Sequence, residues 1–249
     1  MSAEKIVSFS DVYKTYRRPG LLRTFEAPAL DGLSLELERG EIAGLLGLNG
    51  AGKTTIMKLM TGLLFPDAGS ISVFGLPPSG MAAKNRIGFL PELPYFHPSA
   101  TASEALAYYA GLSGLNGPAA RARIDAVIGK VGLLPHAGKR VSEFSKGMMQ
   151  RLGVAQAVVH DPELLILDEP VSGLDPLAIH EIRDLISEFN GAGKTVFLSS
   201  HSISELEKLS GRVFIMVKGR LAKTIARAQW ESTPGGLEEI FVGTVRAAA

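Results

Sequence analysis

The run Gly47-Leu48-Asn49-Gly50-Ala51-Gly52-Lys53-Thr54 fills every position of the pattern G-x-x-x-x-G-K-[ST]. Glycines at these positions let successive backbone amides turn toward phosphate oxygens, and a helix starting there adds partial positive charge. Lys53 can bridge the β- and γ-phosphates of a nucleoside triphosphate, and the Thr54 hydroxyl can ligate Mg²⁺. A second chemical group closes the aliphatic run Leu164-Leu165-Ile166-Leu167 with Asp168 and Glu169. Asp168 would hold Mg²⁺, directly or through water. Glu169 would face the γ-phosphate and polarise an attacking water, help that is typically worth about 10²–10⁴ in rate. Each piece has a plain alternative: a glycine-rich turn joining strand to helix, and an acidic end on a buried strand.

The string Gly191-Ala192-Gly193-Lys194-Thr195 repeats GAGKT but has Glu188 where the leading glycine belongs. It also follows a helical pattern and precedes a strand, the reverse of a phosphate loop. Its glycines are expected to end a helix, not to bind a second nucleotide.

The elements that must position these groups read as follows. Ile6–Phe9, Val12–Tyr16 and Leu33–Leu37 alternate as short strands of an antiparallel layer, with Arg17–Pro28 a hairpin tip or loop between them. Glu41–Leu46 is an apolar strand entering the phosphate loop, followed by a helix from about Lys53 to Thr61. Ile71–Phe74 and Ile87–Leu90 are further strands. Thr101 with Glu104 predicts a capping box ahead of Ala105–Leu112. Pro118 suits the first turn of a helix reaching about Val131, and Ser145 an N-cap for a third helix that stops before Asp161-Pro162. Strands at Leu164–Leu167, Thr195–Ser199 and Val213–Val217 then alternate with helices at Pro176–Phe189 and Ile203–Leu209, which implies a parallel sheet. The tail carries a weak helical pattern around Leu237–Val242, with Trp230 as a packing anchor.

Composition narrows the partners. With 249 residues, 46% hydrophobic and 20% charged, the chain can bury a sizeable core. A net charge of +1 supplies no basic field for nucleic acid. No cysteine is present, which fits a reducing compartment. Met1–Ser10 lacks the pattern of a signal peptide, and no stretch reaches the roughly 18 apolar residues of a membrane span. Any membrane role is therefore expected to come from a partner.

Three further motifs stand in order around the acidic pair: Phe144-Ser145-Lys146-Gly147-Met148 before it, Ser172-Gly173-Leu174-Asp175-Pro176 directly after it, and Ser199-Ser200-His201 at the end of the next strand. Together with the phosphate loop, this ordered set resembles the nucleotide-binding domain of ATP-binding-cassette (ABC) transporters over almost the whole chain. The resemblance implies an α/β fold: a P-loop NTPase (RecA-like) core, an antiparallel β layer and an inserted α-helical subdomain. It divides the chain into a core at 1–92 and 161–225, a helical signature subdomain at 93–160 and a C-terminal tail at 226–249.

ATP is then the substrate and Mg²⁺ the cofactor. Gly47, Asn49, Gly50, Ala51, Gly52, Lys53, Thr54 and Thr55 would bind the nucleotide, and Tyr16 would stack on adenine, with Tyr13 a competitor for that place. Glu169, His201 and Lys53 would be catalytic, His201 through a hydrogen bond to the γ-phosphate. Ser145, Gly147 and Asp175 would act across a dimer interface, and Glu92 would take the place of the loop glutamine that senses the metal and meets the membrane subunit. The metal set is thus Thr54, Asp168 and Glu92. Implied partners are a second ABC subunit, identical or paired, and a separate transmembrane permease, with no nucleic acid. The place implied is the cytoplasmic face of the cell membrane, peripherally bound.

The sequence departs from the common LSGGQ signature at Lys146 and Met148, and from the usual loop glutamine at Glu92. The first two departures resemble the exporter branch called ABC-2. A clamp or regulatory ATPase acting on DNA or ribosomes is the rival within the superfamily, but no sustained heptads lie between Lys53 and Ser145 and the chain carries one cassette. An unrelated kinase or GTPase lacks these signature motifs. His97, His136, His160 and His180 have no such context and read as surface residues.

Overall fold

The computed structural model describes residues 4–19 and 24–248. In chain order the first elements are β1 (Lys5–Pro19), β2 (Thr24–Glu38), β3 (Ile42–Gly47), α1 (Lys53–Met60), β4 (Ala68–Val73) and α2 (Met81–Lys84). There follow β5 (Ile87–Leu90), α3 (Ala102–Leu112), α4 (Gly117–Lys130), α5 (Lys146–Val158), β6 (Leu164–Leu167) and α6 (Pro176–Gly191). The chain closes with β7 (Thr195–Ser200), α7 (Ile203–Leu209), β8 (Arg212–Val217), β9 (Arg220–Ala226), α8 (Arg227–Glu231) and α9 (Gly236–Ala247). Internal contacts divide these into two compact units, one of residues 1–84 and 197–249 and one of residues 85–196.

The first unit holds the antiparallel layer, in the order β2-β1-β4. The two short strands expected at Ile6–Phe9 and Val12–Tyr16 are one strand, because Asp11 takes φ +51 and makes a bulge between them instead of a turn. The Ser34 hydroxyl accepts from the Asp11 amide at 2.9 Å and steadies that bulge. The segment expected as a tip or loop is mostly ladder: Tyr16 pairs with Ala27, Arg17 with Glu26 and Pro19 with Thr24. Residues 20–23, the tip itself, lie outside the described residues.

The same unit holds the strand that enters the phosphate loop. β3 pairs in parallel with β8 from Ala43 opposite Arg212 to Gly47 opposite Met216. β9, which has no strong apolar alternation, returns antiparallel on β8 and was not anticipated from the sequence. Leu45, Ile56, Met57 and Phe214 lie within the core against these strands. Trp230 is 3% exposed and anchors the tail, whose α9 extends the weak pattern read at Leu237–Val242.

In the second unit β5 and β6 run parallel, Ile87 opposite Leu164 and Leu90 opposite Leu167. The capping box is formed: the Thr101 hydroxyl accepts from the Glu104 amide, and the Glu104 carboxylate accepts from the Thr101 amide. Pro118 sits in the first turn of α4. Ser145 caps α5, its Oγ accepting from the Met148 amide at 3.2 Å. At the other end of α5, Arg123 of α4 donates to the carbonyls of Val158 and Val159.

The GAGKT repeat ends α6. Gly193 lies at φ +90, and its amide donates to the Asn190 carbonyl at 2.8 Å. Lys194 donates to Asp161 and to the Pro162 carbonyl, each at 2.7 Å, so it serves a structural junction. One histidine departs from expectation. His160 is half-buried, with Nε2 2.9 Å from the Ile87 carbonyl oxygen, whereas His97, His136 and His180 are exposed. It is covered because it follows the apolar end of α5, where that helix lies on β5.

Candidate nucleotide site

In the first unit, β3 ends at Gly47 and α1 begins at Lys53, so the loop between them has the strand-turn-helix context that phosphate binding needs. Gly50 at φ +79 and Gly52 at φ +105 occupy backbone that side chains rarely adopt. A β-carbon on Gly52 would fall 2.6 Å from the Ala29 carbonyl oxygen, so glycine is also required there by close approach. The loop is braced from outside: the Gly219 amide donates to the Ala51 carbonyl at 3.2 Å, and the Asp31 amide to the Gly219 carbonyl at 3.0 Å.

Lys53 is 9% exposed, and its Nζ donates to the Gly47 carbonyl at 2.7 Å. The ammonium is folded back across its own loop. Thr54 is exposed at the start of the helix, while Thr55 is buried and its hydroxyl lies 3.3 Å from the Tyr16 hydroxyl. Tyr16 is therefore tied to the phosphate-loop helix. Tyr13 is not: its hydroxyl lies by Gly32 and Asp11, and the Asp11 carboxylate holds its phenol above the usual range. His201 directly follows β7 and is exposed.

In the second unit, β6 delivers Asp168 and Glu169 at its carboxyl end, 5% and 9% exposed. The Asp168 amide donates to the Leu90 carbonyl at 2.8 Å, which sets the acidic pair beside the strand leading to Glu92. Glu92 itself is exposed. Glu169 sits at φ +48, a backbone cost that residues with a β-carbon bear at functional sites more than elsewhere. The Ser172 amide closes the turn on the Glu169 carbonyl at 3.1 Å.

Ser145, Gly147 and Asp175, thirty residues apart in sequence at the extremes, line one cavity of about 220 Å³ with Arg151 and Glu181. Asp175 caps α6 there, its Oδ1 accepting from the Leu177 and Ala178 amides at 3.0 Å each. Lys146 lies over the neighbouring loop, where a β-carbon on Gly173 would collide with its ammonium. Sequence reasoning missed two residues of this region: Gln150, which donates to the Pro170 carbonyl at 2.8 Å, and Arg151, ion-paired with Glu181. No local sequence signal marks Gln150, because the carbonyl it meets lies twenty residues away.

Among the described residues no cluster of three or more His, Cys, Asp or Glu is arranged to hold a metal. Mg²⁺ does not need one, because it is commonly held by one or two carboxylates with substrate phosphates and water. The hydroxyl of Thr54 and the carboxylate of Asp168 are hard oxygen donors of that kind, so each unit offers residues that fit the ion.

Comparison with known proteins decides the family. The model of the ABC transporter family matches residues 30–172, more than half of the chain. The chain belongs to the ABC transporter family. A shorter match, over residues 138–207, is to an AAA domain.

Relatives of this ABC chain include an uncharacterised ABC transporter ATP-binding protein of Nostoc, 42% identical over 218 residues, 87% of this chain and 65% of the relative. The Nod factor export ATP-binding protein I of Burkholderia pseudomallei is 42% identical over 193 residues, 77% of this chain and 64% of that one. The bacitracin transport ATP-binding protein of Bacillus licheniformis is 42% identical over 200 residues, 79% and 64%. The ABC chain thus spans just under two thirds of the length of each.

Among solved structures, an ATP-binding subunit of an ABC transporter superimposes with a TM-score of 0.82 at 28% identity, covering 96% of this chain and 99% of that one. A dimeric bacterial ABC transporter cassette gives a TM-score of 0.80 at 22% identity, over 89% and 98%, and supports the fold alone. The α/β fold with parallel and antiparallel strands is that of the ABC cassettes.

Proposed function

We propose that this chain is the ATP-hydrolysing subunit of an ABC transporter of the export type. ATP binding closes a two-fold, head-to-tail dimer of cassettes, and hydrolysis reopens it to drive a separate membrane permease. The observation that carries the reading is the phosphate loop. Gly50 and Gly52 occupy left-handed backbone, the lysine lies across the loop, and the helix starts at that lysine. Export is supported by the names of the Nod factor and bacitracin relatives, and by Lys146 and Met148 in the signature.

The residues act in sequence. Amides of Gly47–Thr55 and the Lys53 ammonium take the phosphates, while Tyr16, held through Thr55, stacks on adenine. Thr54 and Asp168 would hold Mg²⁺, which would screen phosphate charge, and Glu92 would take the place of the metal-sensing loop residue that meets the permease. Glu169 takes the proton of the attacking water and His201 hydrogen-bonds the γ-phosphate. Ser145, Gly147 and Asp175 serve the nucleotide held by the partner subunit.

The division of labour follows: a core at 1–92 and 161–225, a signature subdomain at 93–160 and a tail at 226–249. On this reading the permease holds the chain at the cytoplasmic face of the membrane; no helix among the described residues is long and apolar enough to cross one. Exposed Leu93 and Tyr95, which follow Glu92, and exposed Tyr108 and Leu112 of α3 supply apolar docking residues for it. The test is ATP hydrolysis by the purified chain with Mg²⁺. Turnover that survives Glu169→Gln unchanged would overturn the assignment of the base.

A further inference from the structure

Gln150 is 4% exposed, and its amide donates to the Pro170 carbonyl across 2.8 Å. Pro170 directly follows Glu169, whose φ of +48 must be held in place by its surroundings. The donor comes from α5, the helix that Ser145 caps five residues earlier.

Neighbouring positions of α5 make two further attachments. Arg151 pairs with Glu181 of α6, the helix capped by Asp175. A β-carbon on Gly153 would fall 2.6 Å from Leu90 Cδ1 and 3.0 Å from Pro94, so the helix backbone lies against the segment that carries Glu92. Within four residues, one rigid helix therefore meets the segments bearing Glu169, Asp175 and Glu92. Of the three attachments, only the Gln150 bond reaches the peptide next to the acid.

We propose that Gln150 is a positioning residue. It holds the Pro170 peptide, and with it the Glu169 carboxylate, in register with the Ser145 end of α5. Engagement of Ser145 by nucleotide is then felt at Glu169 through one helix and one hydrogen bond. This rests on the reading of Glu169 as the base, and it adds a route by which the signature motif governs hydrolysis inside its own subunit.

The test begins with Gln150→Met, which keeps length and bulk but has no donor. Turnover should fall roughly tenfold, the scale of one buried hydrogen bond, with KM for ATP and ATP-driven dimerisation unchanged. In the nucleotide-free chain, hydrogen exchange at the Ser172 amide, which closes the Glu169 turn, should quicken by a similar factor while the amides of α5 keep their rates. General loosening would move both. Gln150→Glu supplies a second reading and carries the test if the methionine variant does not fold. A protonated carboxyl can donate to Pro170 and an ionised one cannot, so its turnover relative to the wild type should recover as pH falls.

A folded Gln150→Met with turnover within twofold of the wild type and unchanged Ser172 exchange overturns the proposal. So does a Gln150→Glu ratio that does not change with pH. Glu169→Gln, measured alongside, separates the two levels: if it keeps wild-type turnover the base assignment fails, and if it is inactive while the Gln150 variants are normal, only the positioning role fails.

Discussion

Lys53 donates from Nζ to the carbonyl oxygen of Gly47, 2.7 Å away and six residues back in the same loop. The bond keeps the ammonium over the cradle of amides. On the proposed reading, a phosphate bound in the loop would compete with this carbonyl for the ammonium.

Lys53→Ala should therefore weaken ATP binding by roughly 10–100-fold, the range of a charge-assisted hydrogen bond. Glu169→Gln should leave affinity within about twofold and lower turnover by roughly 10²–10⁴. Titration with a fluorescent ATP analogue, paired with phosphate release, measures both. Equal loss of binding in the two variants would contradict the division of roles.

Mixing should rescue a shared site. Lys53→Ala homodimers and Ser145→Arg homodimers each lack a working site if the signature serves the partner's nucleotide. Their heterodimer contains one intact site, with lysine from the second variant and signature from the first. ATP-driven dimerisation, followed by sedimentation with Mg²⁺, should reappear only in the mixture. A mixture that behaves as the sum of its two components, beside a wild type that dimerises, would place the whole site within one chain.

Stability should depend on His160. Burial in the second unit disfavours its charged form and holds its pKa below the usual value near 6.5, with the Ile87 carbonyl opposing in part. The unfolded chain then takes up the proton first as pH falls through about 6.5, so stability drops on acidification and is fully present above that pH. Thermal melts between pH 8 and pH 5 should show this slope in the wild type. The slope should flatten in His160→Gln, and an identical slope in both would assign the acid sensitivity elsewhere.

Docking should map to one surface. Leu93 and Tyr95 are 75% and 77% exposed, and Tyr108 and Leu112 are each 64% exposed. Cross-linkers placed between Glu92 and Tyr109 should capture the permease in the assembled transporter. Tyr95→Glu should leave ATP hydrolysis by the isolated chain within about twofold, as a surface change does, while abolishing assembly. A cross-linking map without contacts in this segment would remove the assignment.

Much of the chain was legible because its signals close locally. The Thr101–Glu104 box, the Ser145 cap, the glycine stop at Gly193 and the left-handed glycines of the loop each involve bonds or dihedrals within a few residues. The sequence alone determined these, and with them the order of the motifs and the family. Tertiary structure decided what depends on a distant partner. Asp11 becomes a bulge and not a turn because β2 and β4 continue on either side of β1. β9 is a strand because β8 offers it an edge, although its own side chains alternate poorly. His160 is covered by β5, some seventy residues away, and Gln150 finds the carbonyl of Pro170 twenty residues on. Pairing and burial of this kind are settled by which surfaces meet, and no window of neighbouring residues carries that information.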